Sequence, residues 1–335
     1  MFSFFHSKNA FAIDLGTNNT LVYQPSRGII LDEPTSIAYD RKRSSFFDCG
    51  ASSKMMMGKN PKHIEVMHPL SKGAIANLTV AKAYIKEVIR RIAHNSFFKP
   101  SIVVSVPSDL NAMERNAVVE AGLEGGAKRV MLLKDPFSAA LGSEQFIERP
   151  QGVLVLDIGA GVSDISLLSC NGIVMSKSLR LAGNDLDEAI IEHFKAHKRV
   201  LISPKDAELL KKELGSLSAS EEKMMKISVK NLMTRLPESF MASSHDVQKA
   251  ILPIVDKMVS LTHSMIAELP PVFAQDIYDQ GILLTGGSSM LHGLDSYISK
   301  KLEIEVNPVQ NPLQNIILGA GRAIEERRYN TLFGA

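Results

Sequence analysis

Near its start the chain reads Phe11-Ala12-Ile13-Asp14-Leu15-Gly16-Thr17-Asn18-Asn19-Thr20-Leu21-Val22-Tyr23, a short apolar run, a polar turn and a second apolar run. The same plan returns as Val153-Leu154-Val155-Leu156-Asp157-Ile158-Gly159-Ala160-Gly161-Val162-Ser163-Asp164-Ile165-Ser166-Leu167-Leu168. Each stretch predicts a strand, a tight turn and a strand, which is a β-hairpin. Because the two hairpins lie near the starts of the two halves of the chain, we predict a duplicated architecture.

Helices and strands are predicted to alternate between and after the hairpins. Apolar residues at helical spacing predict helices over residues 81–92, 111–121 (ending before Gly122), 136–141, 185–196, 206–214, 247–269 and 319–328. Continuous apolar runs predict strands over residues 101–107, 130–133 and 282–285. This alternation is typical of an α/β protein.

Composition excludes several classes of protein. Of 335 residues, 45% are hydrophobic and 22% are charged, and 38 Lys and Arg residues against 36 Asp and Glu residues give a net charge of +2. The length corresponds to about two domains, and the chain is neither disordered nor a small disulfide scaffold. Because the cationic residues are scattered and the basic excess is small, nucleic acid is not expected as a partner.

Cysteine usage and hydropathy predict a location in the cytoplasm. The two cysteines, Cys49 and Cys170, have no Cys-x-x-Cys or Cys/His spacing, so a disulfide framework or structural zinc site is not predicted. No uninterrupted apolar run approaches the roughly 18 residues that would span a bilayer, and the N-terminus lacks a secretory apolar region.

The two turns have the residues of an anion site. Glycines and short polar residues at a strand turn allow several backbone N–H groups to point at one phosphate. The turns supply Gly16, Thr17, Asn18 and Asn19 in the first copy and Gly159, Ala160, Gly161, Val162 and Ser163 in the second. Asp14 and Asp157 precede the turns and are suited to a hydrated Mg²⁺. Asp-x-Gly is also ordinary hairpin chemistry, but its occurrence in duplicate favours two phosphate loops that face one polyphosphate.

Other nucleotide motifs do not match. A Rossmann fingerprint requires G-x-G-x-x-G opening a helix, whereas Gly159-Ala160-Gly161 is followed by Asp164 and by strand-like alternation. The sequence contains no G-x-x-x-x-G-K-[ST] and no G-x-S-x-G nucleophile elbow.

The turns resemble the phosphate loops of the actin, Hsp70 and sugar-kinase superfamily. More narrowly, the chain resembles the MreB family of bacterial actins from about Phe11 to Glu326. The motifs that carry this resemblance are Asp32-Glu33-Pro34-Thr35, Val104-Ser105-Val106-Pro107-Ser108, Asp185-Leu186-Asp187-Glu188-Ala189-Ile190, Asp276-Ile277-Tyr278-Asp279-Gln280-Gly281-Ile282 and Leu284-Thr285-Gly286-Gly287-Ser288-Ser289-Met290-Leu291. Several linked motifs in order are far more specific than one Gly-rich turn.

The resemblance implies an actin-like two-lobed fold, built from duplicated ribonuclease H-like domains with four subdomains and a central nucleotide cleft. It places subdomain IA at residues 1–32, 71–147 and 320–335, and subdomain IB at residues 33–70. Subdomain IIA then covers residues 148–182 and 252–319, and subdomain IIB covers residues 183–251.

The resemblance also implies ATP and Mg²⁺ as cofactors. Phosphate is expected at Gly16, Thr17, Asn18 and Asn19 and at Gly159, Ala160 and Gly161, with Mg²⁺ at Asp14 and Asp157. The family's nucleoside contacts match Glu208 and Lys211, and its adenosine loop matches Gly286, Gly287, Ser288 and Ser289. Glu208 and Lys211 share a helix face, and an ordinary solvated charge pair is the alternative interpretation.

The chain departs from the family where hydrolysis is concerned. The family has Glu before Pro in the turn that orients the attacking water, and this chain has Asp135 before Pro136. Asp is one methylene shorter, so its oxygen retreats by roughly 1.5 Å, and such misplacement can lower a rate by on the order of 10²-fold. Val162 and Ser163 stand where the family has Thr-Thr, which removes one hydroxyl. We therefore expect a slow ATPase that still binds nucleotide.

Phenylalanines at two places predict contact with a membrane. Phe2, Phe4 and Phe5 lie in the first five residues, and Phe97 and Phe98 follow an amphipathic helix. In the family, an N-terminal segment and a hydrophobic loop at this place dip into the membrane. With Lys8, Arg90, Arg91 and Lys99 beside them, these residues suit peripheral binding to an anionic inner leaflet. The alternative is that Phe97 and Phe98 pack back onto the domain.

The resemblance alone implies a polymer. Copies of the chain would form head-to-tail filaments on the inner face of the cell membrane, with other MreB paralogues as further partners. The alternatives are a non-hydrolysing paralogue, a filament protein for the motility of a wall-less cell, and a soluble ATPase or kinase of the superfamily. GTP stays open as an alternative nucleotide to ATP.

Overall fold

The computed structural model describes residues 9–43, 45–93, 99–218 and 221–334. The chain forms two compact units, as its length predicts. Unit 1 comprises Met1–Gln151, Leu168–Val174 and Leu313–Ala335, and unit 2 comprises Gly152–Leu167 and Met175–Pro312. The finer division into four subdomains stays a prediction.

The described residues contain the following strands: β1 Ala10–Leu15, β2 Asn19–Gln24, β3 Gly28–Pro34, β4 Ile37–Asp40, β5 Ser45–Cys49, β6 Ile64–Met67, β7 Leu70–Ser71, β8 Ala74–Ile75, β9 Ser101–Val106, β10 Arg129–Lys134, β11 Val153–Ile158, β12 Ser163–Ser169, β13 Gly172–Leu179, β14 Val200–Leu201, β15 Met224–Asn231, β16 Pro237–Ser243, β17 Ile282–Thr285 and β18 Val306–Pro308.

The helices are α1 Ala51–Met56, α2 Leu78–Ala93, α3 Ala112–Glu124, α4 Asp135–Gly142, α5 Gly183–His193, α6 Pro204–Leu214, α7 Ser244–Ala267, α8 Ala274–Gln280, α9 Leu294–Leu302 and α10 Asn315–Glu325. A π-helical turn, Phe194–Lys198, follows α5. Among the described residues, three short 3₁₀ segments are Pro271–Phe273, Gly287–Met290 and Arg327–Leu332.

The main sheets of the two units have the same strand order, which confirms the predicted duplication. In unit 1 the order is β10-β9-β1-β2-β3, and in unit 2 it is β13-β12-β11-β17-β18. Each sheet contains the third, second and first strands of its repeat in that order, followed by two further strands that run parallel to the first. The first strand of each repeat is parallel to its neighbour, as in β1 with β9 and β11 with β17.

Helices cover the main sheets and form the hydrophobic cores. In unit 1, Ile85 and Val88 of α2 pack with Ile13 of β1 and Val104 of β9. In unit 2, α5, α6 and α7 supply buried residues that pack with Leu154 and its neighbours on β11 and β12. The strands of each hairpin therefore pack against a hydrophobic core, and the polar turn lies at the end of these strands.

Helix α7 is the one described helix that is long and apolar enough to cross a bilayer by length and composition. Its Val247, Ile251, Val255 and Met258 are nevertheless buried within the core of unit 2. The sequence lacks an uninterrupted apolar run here because polar residues recur along the helix. Because this apolar face of α7 is buried, core packing explains the hydropathy of the helix.

Several predicted helix boundaries were wrong. Helices α2 and α7 each begin three residues earlier than predicted, at Leu78 and Ser244. Helix α3 continues past Gly122 to Glu124. Gly122 is required for close packing instead, because a Cβ there would lie 2.7 Å from Val130 Cγ2 of β10. Helix α5 begins two residues early, at Gly183, and gives way to a π-helical turn at Phe194. Helix α10 begins at Asn315 rather than Gly319, and it ends at Glu325.

Candidate functional site

The first polar turn is a tight, braced connection between β1 and β2. Gly16 N donates to Asn19 O at 3.1 Å, and a Cβ at Gly16 would lie 2.7 Å from that oxygen, so the turn requires glycine. Thr35 braces the turn by donating its N–H to Asn18 O at 2.8 Å. Its hydroxyl also lies 2.7 Å from that of buried Thr20. Thr17 and Asn18 stay half-buried and Asn19 is exposed, so the turn is accessible to an anion.

The second turn, between β11 and β12, repeats this geometry. Gly159 N donates to Val162 O at 2.9 Å, the equivalent of the bond at Gly16. The start of α5 braces this turn, because Gly183 N donates to Gly159 O at 3.2 Å and Asn184 N donates to Ala160 O at 2.8 Å. Both predicted phosphate turns are therefore closed by an equivalent backbone hydrogen bond and braced by a neighbouring segment.

Ser163 is fully buried, and its hydroxyl donates to Leu181 O at 2.7 Å. Ser163 occupies the position of Thr20 in the first hairpin, four residues after the turn glycine. In this arrangement the hydroxyl ties β12 to the segment after β13. Val162, at the end of the turn, is half-buried. A role for Val162 and Ser163 beside an attacking water stays a prediction.

The two aspartates lie at the ends of the first strands. Burial raises the pKa of Asp14 from 3.8 to about 7, although part of its surface stays exposed. A cation at this place would favour the ionised carboxylate. Asp157 pairs in register with Thr285 of β17. Within the described ranges no three His, Cys, Asp or Glu side chains form a metal cluster. A carboxylate at each strand end fits Mg²⁺, which keeps most of its waters and needs only one or two protein oxygens.

The loop after β17 is fixed against the second turn. Gly286 has a φ of +86°, and a Cβ there would overlap Asp157 Oδ1 and Ile158 O. Ser289 closes the loop on itself by donating its hydroxyl to Gly286 O at 2.6 Å. Ser288 donates its hydroxyl to Gly159 O at 2.7 Å. The predicted adenosine loop and the predicted phosphate turn are thus joined directly within unit 2.

Helix α6 carries Glu208 and Lys211. The helix begins at Pro204 because Ser203 caps it, accepting from Asp206 N at 3.2 Å. Lys211 Nζ donates to Gly183 O at 2.8 Å and lies 2.8 Å from the Asp187 carboxylate. Glu208 forms an ion pair with Lys212 at 2.6 Å.

The Asp187 carboxyl is largely desolvated. Burial raises its pKa, and Lys211 opposes this effect by stabilising the charged form. Lys211 therefore links α6 to the start of α5 and, through Gly183, to the second turn.

Gly183 is a site residue that the sequence did not reveal. A Cβ at this position would lie 2.5 Å from Ser288 Oγ and 3.3 Å from Gly159 O. Gly183 lets three segments meet: the second turn, the loop after β17 and the start of α5. The sequence signal is a glycine two residues before the predicted helix over 185–196, and glycine is common at helix starts.

The remaining predicted site residues are Asp135 and the membrane candidates. Asp135 is the first residue of α4 in unit 1 and is half-buried, with Pro136 and Phe137 buried behind it. The membrane candidates Phe2, Phe4, Phe5, Phe97 and Phe98 lie outside the described residues.

Comparison with known proteins gives consistent matches along the whole chain. A sequence profile of the family described as MreB/Mbl protein matches residues 8–331. The cell shape-determining protein MreB of Pasteurella multocida is 34% identical over 326 residues, covering 95% of this chain and 93% of the relative. The cell shape-determining protein Mbl of Bacillus cereus is 33% identical over 317 residues, covering 93% and 95%.

Solved structures agree with the fold described above. MreB5 of Spiroplasma citri bound to ADP superimposes with a TM-score of 0.90 at 30% identity, covering 94% of this chain and 95% of that one. The MamK double helical filament gives a TM-score of 0.80 at 20% identity, covering 95% and 99%. The predicted actin-like fold is confirmed by these superpositions.

Proposed function

The chain belongs to the MreB/Mbl family, and we propose that it is an ATP-binding bacterial actin whose copies polymerise into membrane-associated filaments that govern cell shape. The observation that carries this proposal is the set of braced turns at Gly16 and Gly159, which occur in equivalent places of two duplicated sheets. Relatives matched over nearly their whole length are cell shape-determining proteins.

Nucleotide binding is the first part of the proposal. MreB5 of Spiroplasma citri has been solved with ADP and with AMPPNP. In this chain, Thr17, Asn18 and Asn19 and the turn at Gly159, Ala160 and Gly161 would bind phosphate. Glu208, Lys211 and the loop 286–289 would contact the nucleoside. Asp14 and Asp157 would hold the waters of Mg²⁺, which neutralises phosphate charge when bound.

Slow hydrolysis is the second part. Asp135 keeps a carboxylate at the first turn of α4, but with a shorter reach than the Glu of the family. Misplacement of a catalytic group by about 1 Å can lower a rate by on the order of 10²-fold. The same observation favours a second candidate, a paralogue that binds ATP without hydrolysing it and acts as a scaffold.

One experiment tests the assembly claim. Purified protein is sedimented at high speed with ATP, with ADP and without nucleotide, in the presence of Mg²⁺. We expect pelleting that depends on nucleotide, with more polymer in ATP than in ADP. A protein that binds ATP but stays in the supernatant in all three conditions would contradict a filament and favour a soluble ATPase.

A second experiment tests the membrane claim. Liposomes containing anionic lipid are sedimented with the full chain and with a variant that lacks residues 1 to 8 and carries Phe97→Ser and Phe98→Ser. We expect the full chain to pellet with the liposomes and the variant to stay in solution. Equal co-sedimentation of both proteins would overturn the predicted anchor.

A further inference from the structure

The chain that leaves α6 runs alongside the loop that follows the Gly287–Met290 segment. Ser216 and His292 form an isolated parallel bridge, and Leu217 N donates to His292 O at 2.8 Å. The fit is tight, since a Cβ at Gly215 would lie 2.8 Å from Leu291 Cδ1. Gly293 has a φ of +75°, and a Cβ there would lie 2.9 Å from Ser218 N. The two segments therefore touch through their main chains.

One polar cluster joins the side chains of these segments. His292 Nδ1 lies 3.0 Å from Ser216 Oγ and 3.0 Å from Ser218 Oγ. The two hydroxyls are 3.1 Å apart, and Ser218 N donates to Ser216 Oγ at 3.3 Å. A neutral imidazole can accept from one of these hydroxyls at Nδ1, while the other hydroxyl donates to its neighbouring hydroxyl. We call Ser216, Ser218 and His292 the serine–histidine clamp.

The clamp closes a ring of contacts around one end of unit 2. Lys211 joins α6 to Gly183 O, and Gly183 N bonds to Gly159 O in the second turn. Ser288 joins that turn to the loop after β17. The clamp then joins this loop back to the end of α6. The clamp therefore adds side-chain hydrogen bonds to the main-chain and Leu291 contacts that hold the loop to the end of α6.

We propose that His292 is a positioning residue for the nucleoside: through Ser216 and Ser218 it holds the loop 286–289 and α6 at the spacing that nucleoside binding requires. This inference rests on the proposed function, because those two segments carry the proposed adenosine contacts. His292 acts through the main chain around it and does not itself touch the nucleotide. The turn at Gly159 is held by other bonds, so the clamp affects the nucleoside more than the phosphates.

The test compares ATP with inorganic tripolyphosphate as ligands of the full chain. Dissociation constants for ATP come from titration, and those for tripolyphosphate come from its competition with a fluorescent ATP analogue. For His292→Ala we expect ATP to bind about tenfold more weakly, the effect of one or two lost hydrogen bonds, and tripolyphosphate affinity to stay within about twofold. His292→Asn, whose amide oxygen can accept at the place of Nδ1, restores ATP affinity.

Further variants separate the clamp from general damage. Ser216→Ala with Ser218→Ala reproduces the loss seen with His292→Ala, and adding His292→Ala to that pair causes no further loss. His263→Ala, which removes an exposed histidine of α7, leaves ATP affinity unchanged. Equal loss of ATP and tripolyphosphate affinity in His292→Ala, or failure of His292→Asn to restore binding, overturns the positioning role. A wild-type chain that binds no nucleotide overturns the proposed function itself, which is a different result.

Discussion

Lys211 Nζ lies 2.8 Å from the Asp187 carboxylate, with both side chains about 15% exposed. The same ammonium donates to Gly183 O. A residue that the family resemblance assigns to the nucleoside is therefore already bound to the start of α5. Its neighbour Lys212 is 62% exposed and forms an ion pair with Glu208. The two adjacent lysines of α6 provide a matched pair of variants.

Lys211→Ala should destabilise the fold because it leaves the largely buried Asp187 carboxylate without its cation. We expect a loss of roughly 2–3 kcal/mol in the free energy of unfolding, at or below the range for broken buried pairs. Urea titration monitored by circular dichroism measures the change. Lys212→Ala removes only a solvent-exposed pair and should cost at most about 0.5 kcal/mol. Equal losses from the two variants would contradict the assignment.

The deficit of Lys211→Ala should shrink as the pH falls. Burial raises the pKa of Asp187, and loss of Lys211 raises it further because the opposing cation is gone. A carboxyl whose pKa is higher in the folded state than in the unfolded state binds more protons in the folded state. Stability therefore falls as the pH rises from the pKa of the unfolded chain to that of the folded one. Unfolding of both proteins between pH 7 and pH 5 measures this, and a deficit that grows toward acid pH would rule the mechanism out.

Gly286→Ala should destabilise unit 2 and weaken ATP binding. The position combines a φ of +86° with overlap of any Cβ against Asp157 and Ile158. We expect a loss of about 2–4 kcal/mol from strain and overlap together, measured by urea unfolding. Gly28→Ala is the control, because Gly28 has a φ of +74° with no atom within 4 Å of a Cβ. That variant should lose only about 1 kcal/mol, and similar losses at the two sites would count against the close approach.

Local patterns were sufficient to predict the hairpins but not the contacts between distant segments. The turns at Gly16 and Gly159 follow from Asp and Gly between apolar runs, which is information within a dozen residues. His292 and Ser216 are 76 residues apart, and no periodicity links a histidine in one loop to a serine in another. Lys211 and Lys212 look alike in the sequence, and only packing distinguishes the buried one. The pattern around Gly122 predicts a helix end, because glycine is common at helix ends and the sequence does not distinguish that use from close packing of a helix.

The two thiols should react at very different rates. Cys49 is buried, and burial raises its pKa to about 11 while Arg91, 3.0 Å from its sulfur, opposes the shift. At pH 8 only about one Cys49 thiol in a thousand is ionised. Cys170 is exposed in the turn between β12 and β13. With a disulfide reagent at pH 8, we expect one fast equivalent from the native protein and two after denaturation. Cys170→Ser should abolish the fast phase, and a fast phase that persists would refute this.

Asp135→Glu should raise the rate of ATP hydrolysis. Asp135 begins α4, and the buried Pro136 and Phe137 fix its backbone, so the added methylene advances the carboxylate by roughly 1.5 Å. We expect phosphate release to rise by up to on the order of 10²-fold, with a further gain from Val162→Thr. Asp109→Glu, which extends an exposed carboxylate of unit 1, should change nothing. If the double variant binds ATP as tightly as wild type yet releases phosphate no faster, the shortened side chain does not explain slow turnover, and the non-hydrolysing scaffold becomes the better account.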